Sequence, residues 1–551
     1  MKKNITFILI LFLFTIAVQA QDQLYNEIAD KVTLIVARDG SGHFDQVQAA
    51  IDSIKKAATP DAVIYVKNGV YEGIISVSST VKNLTIVGQD VDHTIITAQP
   101  THGDGGFGTA SVKIASEDFL ALNLTIENSY GVGNQAEALA TATKDRQQFA
   151  HCRFIGFQDT YYSGTPYRNY FKDCLIIGAV DYIFGNSTVI FDSCQIHNLR
   201  DRSWITAAST SSRSRFGYVF QNCWVTAEYG VRNVYFGRPW KDYPKVMFMN
   251  CYLTDCISPL GWDNTWYNPD DIGNVQFYEY HNYGPGSATD NRISYSKRLN
   301  DEEASVYVMD TVFGTNNYPA LIKTEWSPDV AEDPLYIAVK KYFKSFLDED
   351  VTKADLSALK LNGEDVPGFD PANEAITVTL PSGTTEWPVL EAVPVSSDME
   401  VRIIYPKEIP GAATVVVSSK YKATHKAYTV NIQNDQTINL EIPYDIKPII
   451  LNQNIYDCYD ATDEISISDG LSVFPNPAES RFTLSFRGYP DKEPVLIQVY
   501  NFMGQRIYSE ALSADQIRMD NVIDLSGFSA GQYMVNVHSE HKNYSGIVIL
   551  K

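Results

Sequence analysis

Two aspartates fall at the same place in consecutive repeats of this chain. From Phe149 onward an aromatic-x-x-Cys-x-apolar phrase recurs as FAHCRF, FKDCLI, FDSCQI, FQNCWV and FMNCYL, with cysteines at Cys152, Cys174, Cys194, Cys223 and Cys251. Asp159 lies seven residues after Cys152, and Asp181 lies seven after Cys174. If each repeat is one coil of a stacked parallel sheet, neighbouring coils sit roughly 4.8 Å apart and the two carboxylates share one patch of surface. Carboxylates about 5 Å apart resist double ionisation, so one pKa rises and the other stays low. An arginine beside one of them, such as Arg238 in YFGRPW, would hold that one as an anion fit for nucleophilic attack. The other keeps its proton and can donate it to a leaving group. The amides of Gln135 (in NQAEAL) and Gln158 (in GFQDTYY) offer N–H donors to an oxyanion. This chemistry needs no metal, no cofactor and no Ser-His pair, and His151, the histidine near these motifs, reads as structural.

Taken singly, each residue has a plainer explanation. An aspartate in a turn is usually a turn former, a glutamine satisfies a coil, an arginine makes a surface salt bridge and a tryptophan fills a core. The case for an enzyme rests on all of them mapping to neighbouring coils.

The elements that must position them are legible as repeats. Weaker copies stand upstream with Asn in the cysteine slot, at Asn83 in VKNLTIVG and Asn123 in ALNLTIEN, and the strong copies recur every 20 to 29 residues. Short β-branched runs at that period predict a β-helix, in which stacking buries a continuous core. The uneven spacing puts insertions in the loops, where sites usually form. FDQVQAAIDSIKKA (Phe44 to Ala57) has helical spacing and is expected to cap the open end of the stack; Asp329 to Leu347 is a second helical stretch expected to close the catalytic region. Residues 351–450 read as a β-sandwich of immunoglobulin or cadherin type, 452–470 as an acidic linker and 471–551 as a further unit of strands. The fold class is therefore all-β, a parallel β-helix followed by small sandwiches.

Composition narrows the setting. Residues 1–20 carry Lys2 and Lys3, an apolar run and a small-residue cleavage site, the pattern of a secretory signal peptide. No other segment reaches the length of a membrane helix, so the expectation is an exported protein without a transmembrane helix in its mature form. Five of the seven cysteines sit at the repeat position, where an interior column of thiols explains them; stacked neighbours also lie within disulfide range, Cys251 and Cys256 are a second candidate pair, and Cys458 stands apart. The net charge of −22 argues against nucleic acid and anionic membrane surfaces. An anionic polymer would need local positive charge or neutralised substituents to bind.

Together GAVDYIFG, GFQDT, YFGRPW and the early VARDGSGHFDQVQAAID resemble the pectinesterase (pectin methylesterase) family over residues 32–347. The resemblance implies a right-handed parallel β-helix that hydrolyses the C6 methyl esters of homogalacturonan and releases methanol. It matches Asp181 to the nucleophile, Asp159 to the acid that later acts as base, Gln135 and Gln158 to the oxyanion glutamines, and Arg238 to the partner of the nucleophile. Trp240 matches a sugar-binding tryptophan and Thr109 a substrate-binding threonine, while Tyr162, Val180, Phe184 and Trp262 resemble groove-lining positions. Two departures concern the groove: Asn134 and Glu137 stand where the family usually has His and an apolar residue, and GWDNTW spaces its tryptophans one residue wider than the common plant pattern, so Trp266 is not carried over. In the tail, VFPNPA, VYNFMGQ, FSAGQY and the final Lys551 resemble the sorting domain of the Bacteroidetes type IX secretion system. That implies the type IX machinery as a partner and release or attachment at the outer-membrane surface.

Two other classes stay open on the residues alone. A β-helical lyase would want a calcium-binding carboxylate cluster with a base, and a polygalacturonase a triplet of aspartates; neither stands beside these motifs. A non-catalytic glycan-binding protein would tolerate loss of the acid pair.

Overall fold

Short runs of β-branched and aromatic residues, broken every few positions by Asn, Asp or Gly, can form only brief strands. In the computed structural model these strands wind into a parallel β-helix. The structure describes residues 23–105, 108–263, 272–385, 388–406 and 408–439, and strand segments between 470 and 550. The leader at 1–20, the linker at 452–469, Cys458 and Trp266 lie outside the described residues.

Three parallel sheets of 11, 8 and 7 strands form the sides of the stack. The 7-stranded sheet consists of β1 (Ile75–Val77), β2 (Ala110–Ile114), β3 (Glu137–Thr141), β4 (Tyr161–Ser163), β5 (Val180–Gly185), β6 (Trp204–Ala208) and β7 (Tyr235–Pro239), each paired with its neighbours in chain order. Its register lines up Ala140, Tyr162, Phe184, Ala207 and Arg238 in one column.

The repeated phrase has a direct structural meaning. Its aromatics pair in register along the 11-stranded sheet and stack inside the helix, with ring centroids 4.7 Å apart for Phe149–Phe171, 4.9 Å for Phe171–Phe191, 4.5 Å for Phe191–Phe220 and 4.2 Å for Phe220–Phe248. Two residues later the chain turns a corner through a left-handed residue, at His151 (φ 49°), Asp173 (φ 50°), Ser193 (φ 54°), Asn222 (φ 55°) and Asn250 (φ 54°). Short polar side chains tolerate this conformation best. The cysteine then points inward: all five are fully buried and free. Cys256 is buried and free as well, so among the described residues neither bridging option is realised.

One part of the repeat reading is corrected. Asn123 (φ 56°) takes the left-handed corner, not the cysteine slot, which Leu124 fills. Asn83 belongs to a different corner. It precedes Thr85–Gly88 in the 11-stranded sheet, as Asp118 precedes Phe119–Leu122. Both corners demand a left-handed residue, and Asn serves either, so the letter alone did not fix the phase.

The first of the two predicted helices, α1 (Val47–Ala57), begins three residues later than its apolar spacing predicts, because Phe44 forms a bridge with Val36. It buries Val47, Ala50, Ile51 and Ile54 against Val36, Ile64, Val77 and Leu84 of the first coils, which closes that end of the core. The second, α2 (Pro334–Tyr342), starts at a proline and is capped by the Asp333 carboxylate, which accepts from Leu335 N at 2.8 Å. It lies along the outer face of the 11-stranded sheet, packing Leu335, Tyr336 and Val339 with Tyr170 and Ile190, and not at the chemical face.

The chain divides into two compact units. The β-helix belongs to the first, along with Pro394–Glu400 and Val417–Lys426; from the latter, Lys422 Nζ pairs with Glu228 at 2.8 Å. Strands that belong to the second except at some of their ends form a 3-stranded sheet, Leu356–Leu361, Glu364–Asp365 and Leu390–Pro394, and a 4-stranded one, Ala375–Thr379, His425–Gln433, Gly411–Ser418 and Glu400–Ile404. Its last part consists of antiparallel strands, among them Val495–Asn501, Gly531–His538 and Asn543–Leu550.

The stacked column predicts a local stability cost. Phe220→Ala removes a buried ring held between two others and should destabilise the protein by about 3–5 kcal/mol. Chemical denaturation of both forms checks this; a change well under 1 kcal/mol would show that the column is loosely packed.

Candidate active site

The two aspartates meet because the turns that carry them pair backbone to backbone. Isolated parallel bridges join Gln135 to Gln158 and Gln158 to Val180. Ala136 N donates to Gln158 O at 3.2 Å, and Asp159 N donates to Val180 O at 3.0 Å. Asp159 and Asp181 thus stand one residue past a shared register on adjacent coils. Both adopt left-handed backbone (φ 67° and 49°), which aspartate accepts more readily than most residues. At Asp181 this accompanies a register shift between Val180 and Ile183.

Two glycines make the close approach possible. A Cβ on Gly178, before GAVD closes, would lie 2.3 Å from Tyr182 Cβ. On Gly237 it would lie 2.0 Å from Thr206 Oγ1, so the strand carrying Arg238 could not sit this close to β6.

Arg238 reaches across two coils to Asp181. Its Nε donates to Oδ1 at 2.9 Å and its Nη2 to Oδ2 at 2.7 Å, a bidentate pair with both residues under a tenth exposed. The guanidinium rests 4.0 Å from the ring centroid of Trp204, whose Nε1–H donates to Asp263 Oδ2 at 2.7 Å. Pairing with Arg238 alone would pull the Asp181 pKa down. Burial outweighs it and Asp263 adds to the rise, so the carboxyl sits above its ordinary value, with Arg238 opposing. This differs from the simple expectation of one low and one high carboxyl.

Asp159 is raised much further, first by burial and then by the charges of Asp181 and Glu137. It has Arg238 only at a distance, a hydrogen bond from the Gln135 side chain pulls it down, and its buried Oδ2 has no hydrogen-bond partner among the described residues. The order of the two acids therefore follows from which one the guanidinium clamps. Both carboxyls are raised, Asp159 well above its ordinary value, and of the two it is Asp181 that the guanidinium grips.

The remaining predicted residues divide into three groups. Gln135, Gln158, Tyr162, Val180, Trp240 and Thr109 are all half-buried around this point. Phe184 is buried, its ring 4.9 Å from Tyr162 and 5.6 Å from Trp240, so it packs beneath the two aromatics. Trp262 is not a groove residue. It is fully buried and stacks on Phe277 at 4.2 Å, with Phe236 at 5.2 Å, filling the core at the last coils. In GWDNTW it is Asp263 that turns toward the site. His151 pairs with Asp173 at 3.1 Å and stacks on Phe346 at 5.0 Å, in keeping with a structural histidine. It lines a cavity of about 310 Å³ with Asp92, Lys344, Lys420 and Tyr421, in which neither Asp159 nor Asp181 takes part.

Sequence reasoning missed Trp204, Asp263 and Arg200. Trp204 opens the strand between the aspartate-bearing coils and the arginine-bearing one, in register with Val180 and Tyr235. That intermediate coil carries the phrase FDSCQI, but no motif of the family pattern marks Trp204, ten residues after Cys194, so only following the chain through that coil would have found it. Arg200 lies near enough for the charge of Arg238 to lower its pKa, after burial.

A parallel β-helix here buries two carboxyls on adjacent coils, one of them clamped by arginine, and the chain that builds it is a hydrolase. Residues 33–316 match the family model described as Pectinesterase, and residues 472–551 match that of a secretion system C-terminal sorting domain. The chain belongs to the pectinesterase family, the carboxylic ester hydrolases that act on pectin. It is 38% identical over 286 residues to Pectinesterase 31 of Arabidopsis thaliana, covering 50% of this chain and 89% of that one. To Pectinesterase 2 of Citrus sinensis it is 32% identical over 290 residues, covering 50% and 56%. Among solved structures, pectin methylesterase from carrot aligns with a TM-score of 0.48 at 30% identity, over 54% of this chain and 97% of that one. Pectin methylesterase PemA from Erwinia chrysanthemi aligns with a TM-score of 0.47 at 26% identity, over 54% and 99%.

The raised pKa of Asp159 has a consequence for stability. Below the unfolded-state value, about 3.9, both states hold the proton; above it the unfolded chain ionises first, and wild-type stability falls until the folded-state pKa is passed. Asp159→Asn should therefore become increasingly more stable than wild type as pH rises from acid to alkaline. Paired thermal melts across that range check the sign, and a gap that narrows with pH would mean that Asp159 is ionised in the folded protein.

Proposed function

We infer that this chain hydrolyses the C6 methyl esters of homogalacturonan through an acyl-enzyme on Asp181. The bidentate Arg238–Asp181 pair beside Asp159, whose pKa burial raises well above its ordinary value, carries this reading. An Asp181 oxygen attacks the ester carbonyl carbon, and the resulting oxyanion takes N–H donors from Gln135 and Gln158. Gln135 already spends one donor on Asp159, and an amide nitrogen has a second. The bond from carbon to methoxyl oxygen then breaks, the leaving oxygen takes the proton of Asp159, and methanol departs. Asp159, now an anion, takes a proton from water as that water attacks the acyl carbon. The anhydride bond to Asp181 breaks, releasing a galacturonic acid carboxyl, which loses its proton to solvent, and restoring the Asp181 carboxylate and the protonated Asp159.

Tyr162, Trp240 and Thr109 would hold the sugar chain, with Phe184 fixing the two rings and Val180 lining the floor. The neutral ester is compatible with a chain of net charge −22, and Arg200 and Arg238 supply local positive charge for de-esterified neighbours. Residues 32–347 would carry this chemistry, 351–450 would serve as a spacer sandwich, and 471–551 as a type IX sorting domain that brings the enzyme to the cell surface or beyond. The match of 472–551 to a sorting domain supports that route. Among the described residues no helix is long and apolar enough to cross a membrane.

Methanol release from highly methylated homogalacturonan tests the reading. Wild type should release it, Asp181→Asn should fall to background, and Gln158→Ala should lose roughly 10²–10³-fold in kcat. Full activity in Asp181→Asn would overturn the mechanism, and no methanol from wild type would overturn the substrate.

A further inference from the structure

Two residues after Gln135, at the first position of β3, stands a carboxyl that the mechanism above does not use. Glu137 is fully buried. Its Oε1 accepts from Gly108 N at 3.2 Å, and its Oε2 is buried with no hydrogen-bond partner among the described residues. A carboxyl left half-satisfied in the interior is costly, and an apolar residue of similar size would normally serve packing better. Gly108 (φ 87°) precedes Thr109 and lies over Tyr162, with its Cβ position 3.6 Å from that ring. Glu137 thus sits beneath the segment that carries Thr109, on the strand that follows Gln135, and close enough to Asp159 and Tyr162 for its charge to act on both.

The groups on the surrounding elements are few. Asp159 and, beyond it, Asp181 and Arg238 stand on one side, and Tyr162 in β4 stands above. His102 and Asp104 lie in the short helix at His102–Gly105, where Asp104 is taken by Thr101. Lys113 in β2 is exposed. Among the described residues no cation pairs with Glu137; its side chain accepts from Gly108 N, and its backbone carbonyl accepts from Asn128 Nδ2 at 3.0 Å.

We propose that Glu137 is a positioning residue for this esterase reaction, tying the Gly108–Thr109 segment to the acid corner and setting the alkaline limit of catalysis through Asp159. Burial pushes the Glu137 pKa up to about 7, against the Gly108 N–H, which lowers it. The carboxyl therefore loses its proton near neutrality. Its negative charge then strengthens the hold of Asp159 on its own proton, and the acid stays loaded to higher pH than it would alone. The inference rests on Asp159 being the proton donor.

Two full-length variants separate the two parts. Glu137→Gln keeps an oxygen to accept from Gly108 N but cannot ionise. Its KM should stay near that of wild type, while the alkaline limb of kcat/KM should move toward acid by roughly one pH unit, because Asp159 no longer feels a second anion. Glu137→Val removes the acceptor as well, and should show the same shifted limb together with a KM raised several-fold. Unfolding curves of each confirm the fold; if the Val variant does not fold, the limb of the Gln variant decides. An unchanged limb in Glu137→Gln, with wild type active, overturns the proposal and leaves the esterase reading intact. Failure of wild type to release methanol would instead overturn that reading.

Discussion

Successive coils of a parallel stack are held roughly 4.8 Å apart by their ladders, and a side chain in one coil has its counterpart directly above it in the next. Everything chemical in this protein depends on that constraint. Gln135, Gln158 and Val180 stand in register through backbone bridges, so the aspartates that follow are placed by main-chain hydrogen bonds and not by flexible side chains. The cost of crowding two carboxyls is met by the same geometry, which brings Arg238 from two coils further on to clamp one of them. A site held by the stack is preorganised to a degree that loop-borne residues rarely reach.

The electrostatics then follow from unequal shares. Burial raises both acids, and each feels another carboxylate: Asp159 feels Asp181 and Glu137, and Asp181 feels Asp263. Only Asp181 has a guanidinium in contact. The guanidinium is itself held between Asp181 and the face of Trp204, whose N–H is fixed by Asp263. Trp204 and Asp263 therefore belong to the device that orders the two acids, although neither faces the ester in the proposed reaction.

How much of this was legible in the sequence depends on how each signal is written. The repeat of Phe and Cys is a statement about interior columns, and the stacked rings and buried thiols realise it residue by residue. The acid pair could be read because both aspartates sit seven residues past those cysteines, and the glutamines and Arg238 because they sit in phrases of the family pattern. The corner positions could not: left-handed turns accept Asn, Asp, His or Ser alike, so Asn83 and Asn123 looked equivalent although they occupy different corners. Trp262 misled for a related reason. Beside a groove aspartate in GWDNTW, alternation along the strand decides which of two neighbours points inward, and the phase of that alternation is set by Phe277 and Phe236, distant in sequence. The role suggested by Glu137 was invisible to pattern, since a single acid in NQAEAL announces neither its burial nor its contact with Gly108.

The central claim is that the two acids differ in protonation because only one is clamped by arginine. Infrared difference spectra at neutral pH read this directly. Wild type minus Asp159→Asn should show the carbonyl stretch of a protonated carboxyl, and wild type minus Asp181→Asn the paired stretches of a carboxylate. The opposite assignment, or two ionised carboxylates, would contradict the account.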